Sequence, residues 1–212
     1  LDAAQLRKMV LRLPPLLLKS VESMDSRLDW LQRRLDLDDV GLRKIVVSLP
    51  PLLHYSVEDN MEPTLKWLQT RLDLDEAQLG KVVVRFPALL GYSIEDNMEP
   101  TLEWLRMRLD LDATQLRKMV LRLPPVLYLS VKDNIAPKLL WLQTRLDLDD
   151  AGLRKIVLTL PPLLGLSVDN MAPKLAYLER ETGLSRAERR DWVVKNPTLL
   201  GYSLATRYRP RL

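Results

Sequence analysis

The chain has 212 residues, 47% of them hydrophobic, so it can bury a core and is not predicted to be disordered. Its 32 Lys and Arg residues nearly balance its 28 Asp and Glu residues, and with a net charge of +4 the placement of charge matters more than its total. The lack of cysteine excludes disulfides, thiolate nucleophiles and Cys-containing metal sites. No apolar stretch reaches the roughly 18 residues of a membrane-spanning helix, so no membrane partner is predicted.

Tandem repeats of 36 or 37 residues make up the chain. Their starts are marked by Leu1, Leu37, Leu74, Leu111, Leu148 and Leu184. A period of this length indicates stacked supersecondary units. We therefore expect one solenoid domain over residues 1–212, with repeats at about 1–36, 37–73, 74–110, 111–147 and 148–183 and a partial repeat at 184–212. Because Leu1 is not Met and stands at a repeat start, we expect an N-terminal segment, with any targeting peptide, to have been removed or left out.

The first helix of each repeat is predicted from a cap and an apolar stripe. An Asp or Ser follows the leading leucine, and Gln or Glu stands three residues later in four repeats, as in a capping box. In the second repeat Leu42, Ile45, Val46 and Leu49 follow at helical spacing, and Pro50 ends the helix.

A second helix is predicted after a short apolar turn, from the cap at Ser56 to about Leu72 in the second repeat. Prolines near its second turn are expected to kink it, namely Pro63, Pro100, Pro137 and Pro173. The first repeat has Ser26 at this place. Since no strand pattern or Asn-Gly hairpin occurs, the predicted class is all-α, a superhelical solenoid of helix pairs.

The order of motifs within a repeat is distinctive. Residues 37–72 carry an Asp cap, Leu-Arg-Lys, three apolar residues and Leu-Pro-Pro, then Tyr-Ser-Val, Asn, Pro and Trp-Leu, and residues 74–109 and 111–146 repeat this order closely. It resembles the mTERF repeat of mitochondrial transcription termination factors, over essentially the whole chain. Pentatricopeptide and HEAT-type repeats have similar periods but are not expected to carry Leu-Pro-Pro between their helices.

The resemblance implies a curved superhelix that binds double-stranded DNA or RNA in a mitochondrion or chloroplast, in transcription termination, its regulation or RNA metabolism. A second hypothesis is a structural subunit of a large organellar assembly, such as a mitochondrial ribosome, that braces ribosomal RNA or docks on its proteins. The modest net charge is compatible with this alternative.

A row of cations is predicted on the narrow exposed side of the first helices, where stacking would align them to contact phosphates. Its members are Lys8, Arg12, Lys44, Lys81, Arg85, Lys118, Arg122, Lys155 and Lys195. The alternative is a solvated helix face without a ligand. A second candidate is the basic tail with Arg207, Arg209 and Arg211 around Tyr208, which could equally be a solvated tail.

Other conspicuous residues have structural explanations. The aromatic residues Trp30, Trp67, Trp104, Trp141 and Tyr177 recur between leucines, which favours inter-repeat packing over base stacking. The only histidine, His54, lies in the turn between helices, and acidic pairs such as Glu58-Asp59 suit a helix start. We predict a non-enzymatic protein without catalytic residues, cofactor, metal site or small-molecule substrate.

Overall fold

A computed structural model describes Arg7, Leu11 and residues 13–18 and 20–203, apart from the side chains of residues 16 and 17. Every regular element within these residues is helical, and none is a strand. The predicted all-α class is therefore confirmed. The chain divides into two compact units, residues 1–98 and 99–212.

The first unit contains helices α1 to α4, joined by short 3-10 and π-helical turns. The α-helices are α1 (Val21–Arg34), α2 (Asp39–Ser48), α3 (Glu62–Leu72) and α4 (Glu76–Arg85). The 3-10 turns are Pro14–Leu18, Pro50–His54 and Pro87–Gly91, and the π-helical turns are Val57–Met61 and Ile94–Met98.

The second unit contains helices α5 to α10. They are α5 (Glu99–Arg108), α6 (Ala113–Arg122), α7 (Ala136–Leu146), α8 (Asp150–Thr159), α9 (Val168–Thr182) and α10 (Arg186–Lys195). The 3-10 turns are Pro124–Tyr128, Pro161–Gly165 and Pro197–Gly201, and a π-helical turn covers Val131–Ile135.

The first helices begin at the predicted caps. Complete capping boxes join Asp75 to Gln78, Asp112 to Gln115 and Ser185 to Glu188. After Asp38 and Asp149 the third residue is glycine, which has no side chain to complete a capping box. There the carboxylate accepts one hydrogen bond, from the glycine N–H. The predicted box at Gln5 lies outside the described residues.

The second helices begin in one of two ways. In the second, third and fourth repeats they begin with a π-helical turn, closed for example by Met61 N–H donating to Ser56 O at 3.1 Å, five residues earlier. Pro173, by contrast, stands inside the continuous helix α9, where Met171 N–H donates to Ser167 O, four residues earlier.

The length of the repeat, and not its proline, accounts for the π-helical turns. In the repeats of 37 the proline stands seven positions after the capping serine, as Pro137 does after Ser130. In the fifth repeat Pro173 stands only six positions after Ser167. One extra residue in a helix is accommodated as a π turn. The kink expected at each proline stays a prediction, since a continuous helix can still bend at an internal proline.

Each second helix ends in a left-handed residue. This residue has a φ of 47° to 61° and is Asp36, Asp73, Asp110, Asp147 or Gly183. The leucine after each of the four aspartates closes a Schellman-type bond, as when Leu74 N–H donates to Gln69 O at 3.0 Å. Leu74 is buried, which explains why a leucine marks the repeat start.

Packing within each unit joins neighbouring repeats. In the first unit α2 packs against α4, and in the second α8 packs against α10. Fully buried leucines of the second helices form the core between them, including Leu65 and Leu68 in the first unit and Leu139 and Leu142 in the second. Burial of each such side chain contributes about 1.5–3 kcal/mol, so the repeats are held mainly by apolar contact.

Candidate nucleic-acid interface

Five of the predicted lysines are exposed on first helices, one on each of α2, α4, α6, α8 and α10. They are Lys44, Lys81, Lys118, Lys155 and Lys195, here called the lysine face. The helices position them by burying the neighbouring residues, such as Ile45 and Val46 beside Lys44. Lys8, Arg12, Arg207, Arg209 and Arg211 lie outside the described residues.

The lysines of the lysine face have no electrostatic partner within the described residues. Within the described part of the chain, none of its ammonium groups makes a hydrogen bond or an ion pair. An unpaired surface ammonium retains its full charge for a ligand and requires no internal bond to be broken on binding. This condition is the one that a phosphate-binding residue has to meet.

The two predicted arginines within the described residues differ from the lysines. Arg85 is exposed but has an interaction partner. The exposed Arg122 donates to the carbonyls of Leu158 and Thr159, at 3.5 and 3.4 Å, at the C-terminus of α8. A cation is favourable at this negative end of a helix, so Arg122 has a structural role as well.

The structure brings members of the lysine face onto helices that pack together. Lys44 and Lys81 stand at equivalent positions of α2 and α4, and Lys155 lies on α8 beside α10, which carries Lys195. Lys155 also lines a shallow pocket of about 500 Å³ with Arg190 and Asp191. Each unit therefore presents its own pair of neighbouring basic helices.

Several arginines of the second helices bridge neighbouring repeats. Arg34 Nε lies 2.9 Å from Glu62, Arg108 lies 3.0 Å from Asp150, and Arg145 lies 2.6 Å from Glu179. Exposed pairs of this kind stabilise by about 0–1 kcal/mol each, but they lower the charge available to a ligand. No local sequence pattern distinguishes these paired arginines from the free lysines.

Two lysines missed in the sequence are buried. Lys138 donates to Asn134 Oδ1 at 2.8 Å and to Leu164 O in the next repeat. Lys174 donates to Asn170 Oδ1 at 2.6 Å and to Leu200 O at 2.8 Å. Burial without a counterion lowers the pKa of both ammonium groups, because it disfavours the charged form. Their position directly after a helix proline was the available signal.

The recurring aromatic residues are half-buried and lie beside fully buried leucines, as Trp67 does between Leu65 and Leu68. The hydroxyl of Tyr55 lies so close to Gly91 that a side chain at this position would clash with it. Burial, followed by the nearby Tyr92, raises the pKa of Tyr55.

The half-buried His54 occupies the 3-10 turn, and its Nε2 has no hydrogen-bond partner within the described residues.

The described residues contain no group of three or more metal-ligating side chains. Nor does any described helix have both the length and the apolarity needed to cross a membrane.

Comparison with known proteins gives one family. The sequence matches the family model described as mTERF over residues 68–212, about two thirds of the chain. This match confirms the resemblance seen in the repeat motifs. A search of curated proteins found no match to the chain.

Proposed function

Because the chain belongs to the mTERF family, whose members are nucleic-acid-binding repeat proteins, we propose that it binds DNA or RNA through its lysine face. Members of this family are typically organellar, and we place the binding in a mitochondrion or chloroplast, in transcription termination, its regulation or RNA metabolism. The proposed mechanism is positioning on the nucleic acid, without chemistry.

The observation that carries this proposal is the contrast between free lysines and paired arginines. The lysine face keeps five unpaired charges on successive first helices. Four lysines share one register position, and Lys195 lies one helical turn later in its repeat. Arginines of the second helices, by contrast, connect repeats. Lysine ammonium groups contact phosphates as point charges and carry no base preference. The expected binding is therefore tolerant of sequence.

Paired substitutions of equal charge test the lysine face. K81Q/K118Q removes two of its charges, whereas K66Q/K132Q removes two exposed lysines of the second helices and serves as the control. For a duplex or single-stranded probe in about 100 mM salt, two lost phosphate contacts weaken binding by roughly tenfold or more. Fluorescence anisotropy should show this loss for K81Q/K118Q and little change for K66Q/K132Q.

Equal effects of the two variants would contradict a defined interface. If the intact chain binds neither probe but sediments with a large organellar particle, the outcome favours a structural subunit of an assembly. This alternative is supported by the modest net charge of +4 and by the internal pairing of many arginines.

A further inference from the structure

The sixth repeat departs from the others at a core position. The fifth residue after the leading leucine is Leu42, Leu79, Leu116 and Leu153 in the second to fifth repeats, but it is Arg189 in the sixth. Leu79, Leu116 and Leu153 are fully buried, and the side chain of Arg189 is only 4% exposed. A guanidinium therefore occupies a place that the repeat otherwise fills with an apolar side chain.

A second departure accompanies the first. Glu179 stands where three earlier repeats have Gln32, Gln69 or Gln143. Its carboxylate accepts from two guanidinium groups, Arg145 Nη2 at 2.6 Å and Arg189 Nη1 at 3.0 Å. The pKa of Glu179 is lowered, first by its hydrogen bond to Arg145, so the carboxylate stays ionised.

One carboxylate does not satisfy this cluster. The Nε of Arg189 is buried and has no hydrogen-bond partner within the described part of the chain. A buried N–H without an acceptor is unfavourable, and an acceptor brought by a ligand would correct the deficit. The unsatisfied group belongs to a residue that lines a pocket.

The pocket has a volume of about 640 Å³ and lies within the second unit, between the ends of α7 and α9 and the start of α10. Arg145, Arg186 and Arg189 line it together with the single carboxylate of Glu179 and the indole of Trp141. Arg186 already donates to Thr144 O at 3.0 Å and lies 3.8 Å from Asp147. Asp147 itself does not line the pocket. The lining groups thus carry an excess of two positive charges.

We propose that this pocket binds a phosphate group. Guanidinium forks match phosphate oxygens in a bidentate manner, and a phosphate monoester carries about −1.5 to −2 charge, which balances the excess. The first turn of the ten-residue helix α10 forms one side of the pocket and adds a favourable dipole. The site is separate from the lysine face and does not depend on it.

A charge-neutral double variant tests the site. E179Q/R189L restores the Gln and Leu that earlier repeats carry at these positions, as in Gln143 and Leu153, so the fold is expected to persist. Arg145 then faces a glutamine, as Arg108 faces Gln143 at 2.6 Å. Because one charge of each sign is lost, the net charge and nonspecific attraction are unchanged. A loss of affinity therefore reports the missing guanidinium fork of Arg189 and its unsatisfied Nε, and not a change in charge.

The probe is inorganic phosphate, titrated into the whole chain by calorimetry at constant ionic strength. The wild type should show saturable binding, and E179Q/R189L should bind at least tenfold more weakly while remaining helical by circular dichroism. Absence of saturable binding to the wild type, or equal affinity of the folded variant, would overturn the proposal. Neither result would affect the lysine face, which both proteins retain.

The source of the phosphate is identified with oligonucleotides that carry a 5′-phosphate or a 5′-hydroxyl group. If the site holds the end of a nucleic acid, the wild type prefers the phosphorylated probe, inorganic phosphate competes with it, and E179Q/R189L loses the preference. If the site holds a free phosphate or nucleotide, both probes bind equally and inorganic phosphate binds without displacing them.

Discussion

The residue that ends each second helix requires a left-handed backbone, and the sequence meets this need with Asp in four repeats and Gly183 in the fifth. A Cβ at Gly183 would meet nothing within 4 Å, so any cost of adding one comes from its φ of 61°. We expect Gly183→Ala to lower the free energy of unfolding by about 1 kcal/mol. Gly183→Asn should cost clearly less, because Asn tolerates this conformation. Urea denaturation measures both, and equal costs would contradict the explanation.

The buried lysines give the stability a pH dependence of known sign. Burial lowers the pKa of Lys138 from 10.5, so between the lowered value and 10.5 the unfolded chain binds more protons than the folded chain. The free energy of unfolding should therefore rise with pH through this window, relative to Lys138→Met. Denaturation of both proteins at a series of pH values isolates the effect, since other groups titrate alike in the two. If the free energy of unfolding of the wild type, relative to Lys138→Met, stays constant or falls as the pH rises, the ammonium group is not desolvated.

At the residue scale, sequence reasoning identified which lysines are exposed but not which cations are free. Helical periodicity suffices for exposure, since Lys44 follows from the burial of Ile45 and Val46. Pairing depends on distant partners. Arg154, for example, bonds Asp110 at 3.0 Å across 44 residues of chain, and no local pattern indicates that contact.

At the scale of elements, the extra residue of the 37-residue repeats should be removable. Deleting Lys132 leaves Ser-Val-Asp-Asn-Ile-Ala-Pro-Lys, which matches the fifth repeat at Ser167–Lys174 except for Ile in place of Met. We expect the π turn Val131–Ile135 to become ordinary α-helix, at a cost of about 1 kcal/mol or less.

Deleting Thr144 instead is the matched control. Thr144 lies within α7, so its deletion rotates the residues after it, including the buried Leu146, out of register. This variant should lose several kcal/mol, as expected when core side chains are displaced. Chemical denaturation compares the two, and similar losses would contradict the assignment of the π turn to one inserted residue.

The capping box at the start of α6 offers a second prediction for an element. Asp112 Oδ1 accepts from Gln115 N–H at 2.8 Å, and Gln115 Oε1 accepts from Asp112 N–H at 3.1 Å. Asp112→Ala should lower the free energy of unfolding by about 1 kcal/mol. Asp112→Ser should lower it much less, because serine also caps a helix. A thermal or urea midpoint that falls equally for Ser and Ala would argue against capping.

Elements were predicted well where the signal is local. The caps at Asp75, Asp112 and Ser185 and the end at Leu-Pro follow from neighbouring residues. The π turns do not follow from the prolines. Their signal is the repeat length of 36 or 37 residues, which changes the distance from the capping serine to the proline.

For the whole molecule, the fold class followed from period and motif order, since each repeat leaves an apolar face that only a neighbour can bury. The single-domain organisation and the binding residues stay predictions. The proposed phosphate pocket does not follow from the recurring motifs, because its residues Glu179 and Arg189 depart from the repeat.

Contact between the lysine face and phosphates makes binding depend steeply on salt concentration. With about five phosphates neutralised, the slope of log affinity against log salt should be near −4.5, so binding weakens by several hundred-fold between about 50 and 200 mM salt. Replacing each lysine of the face with Gln should make the slope shallower by about 0.9. An affinity that stays flat across this range, or a slope unchanged in the variants, would contradict the claim.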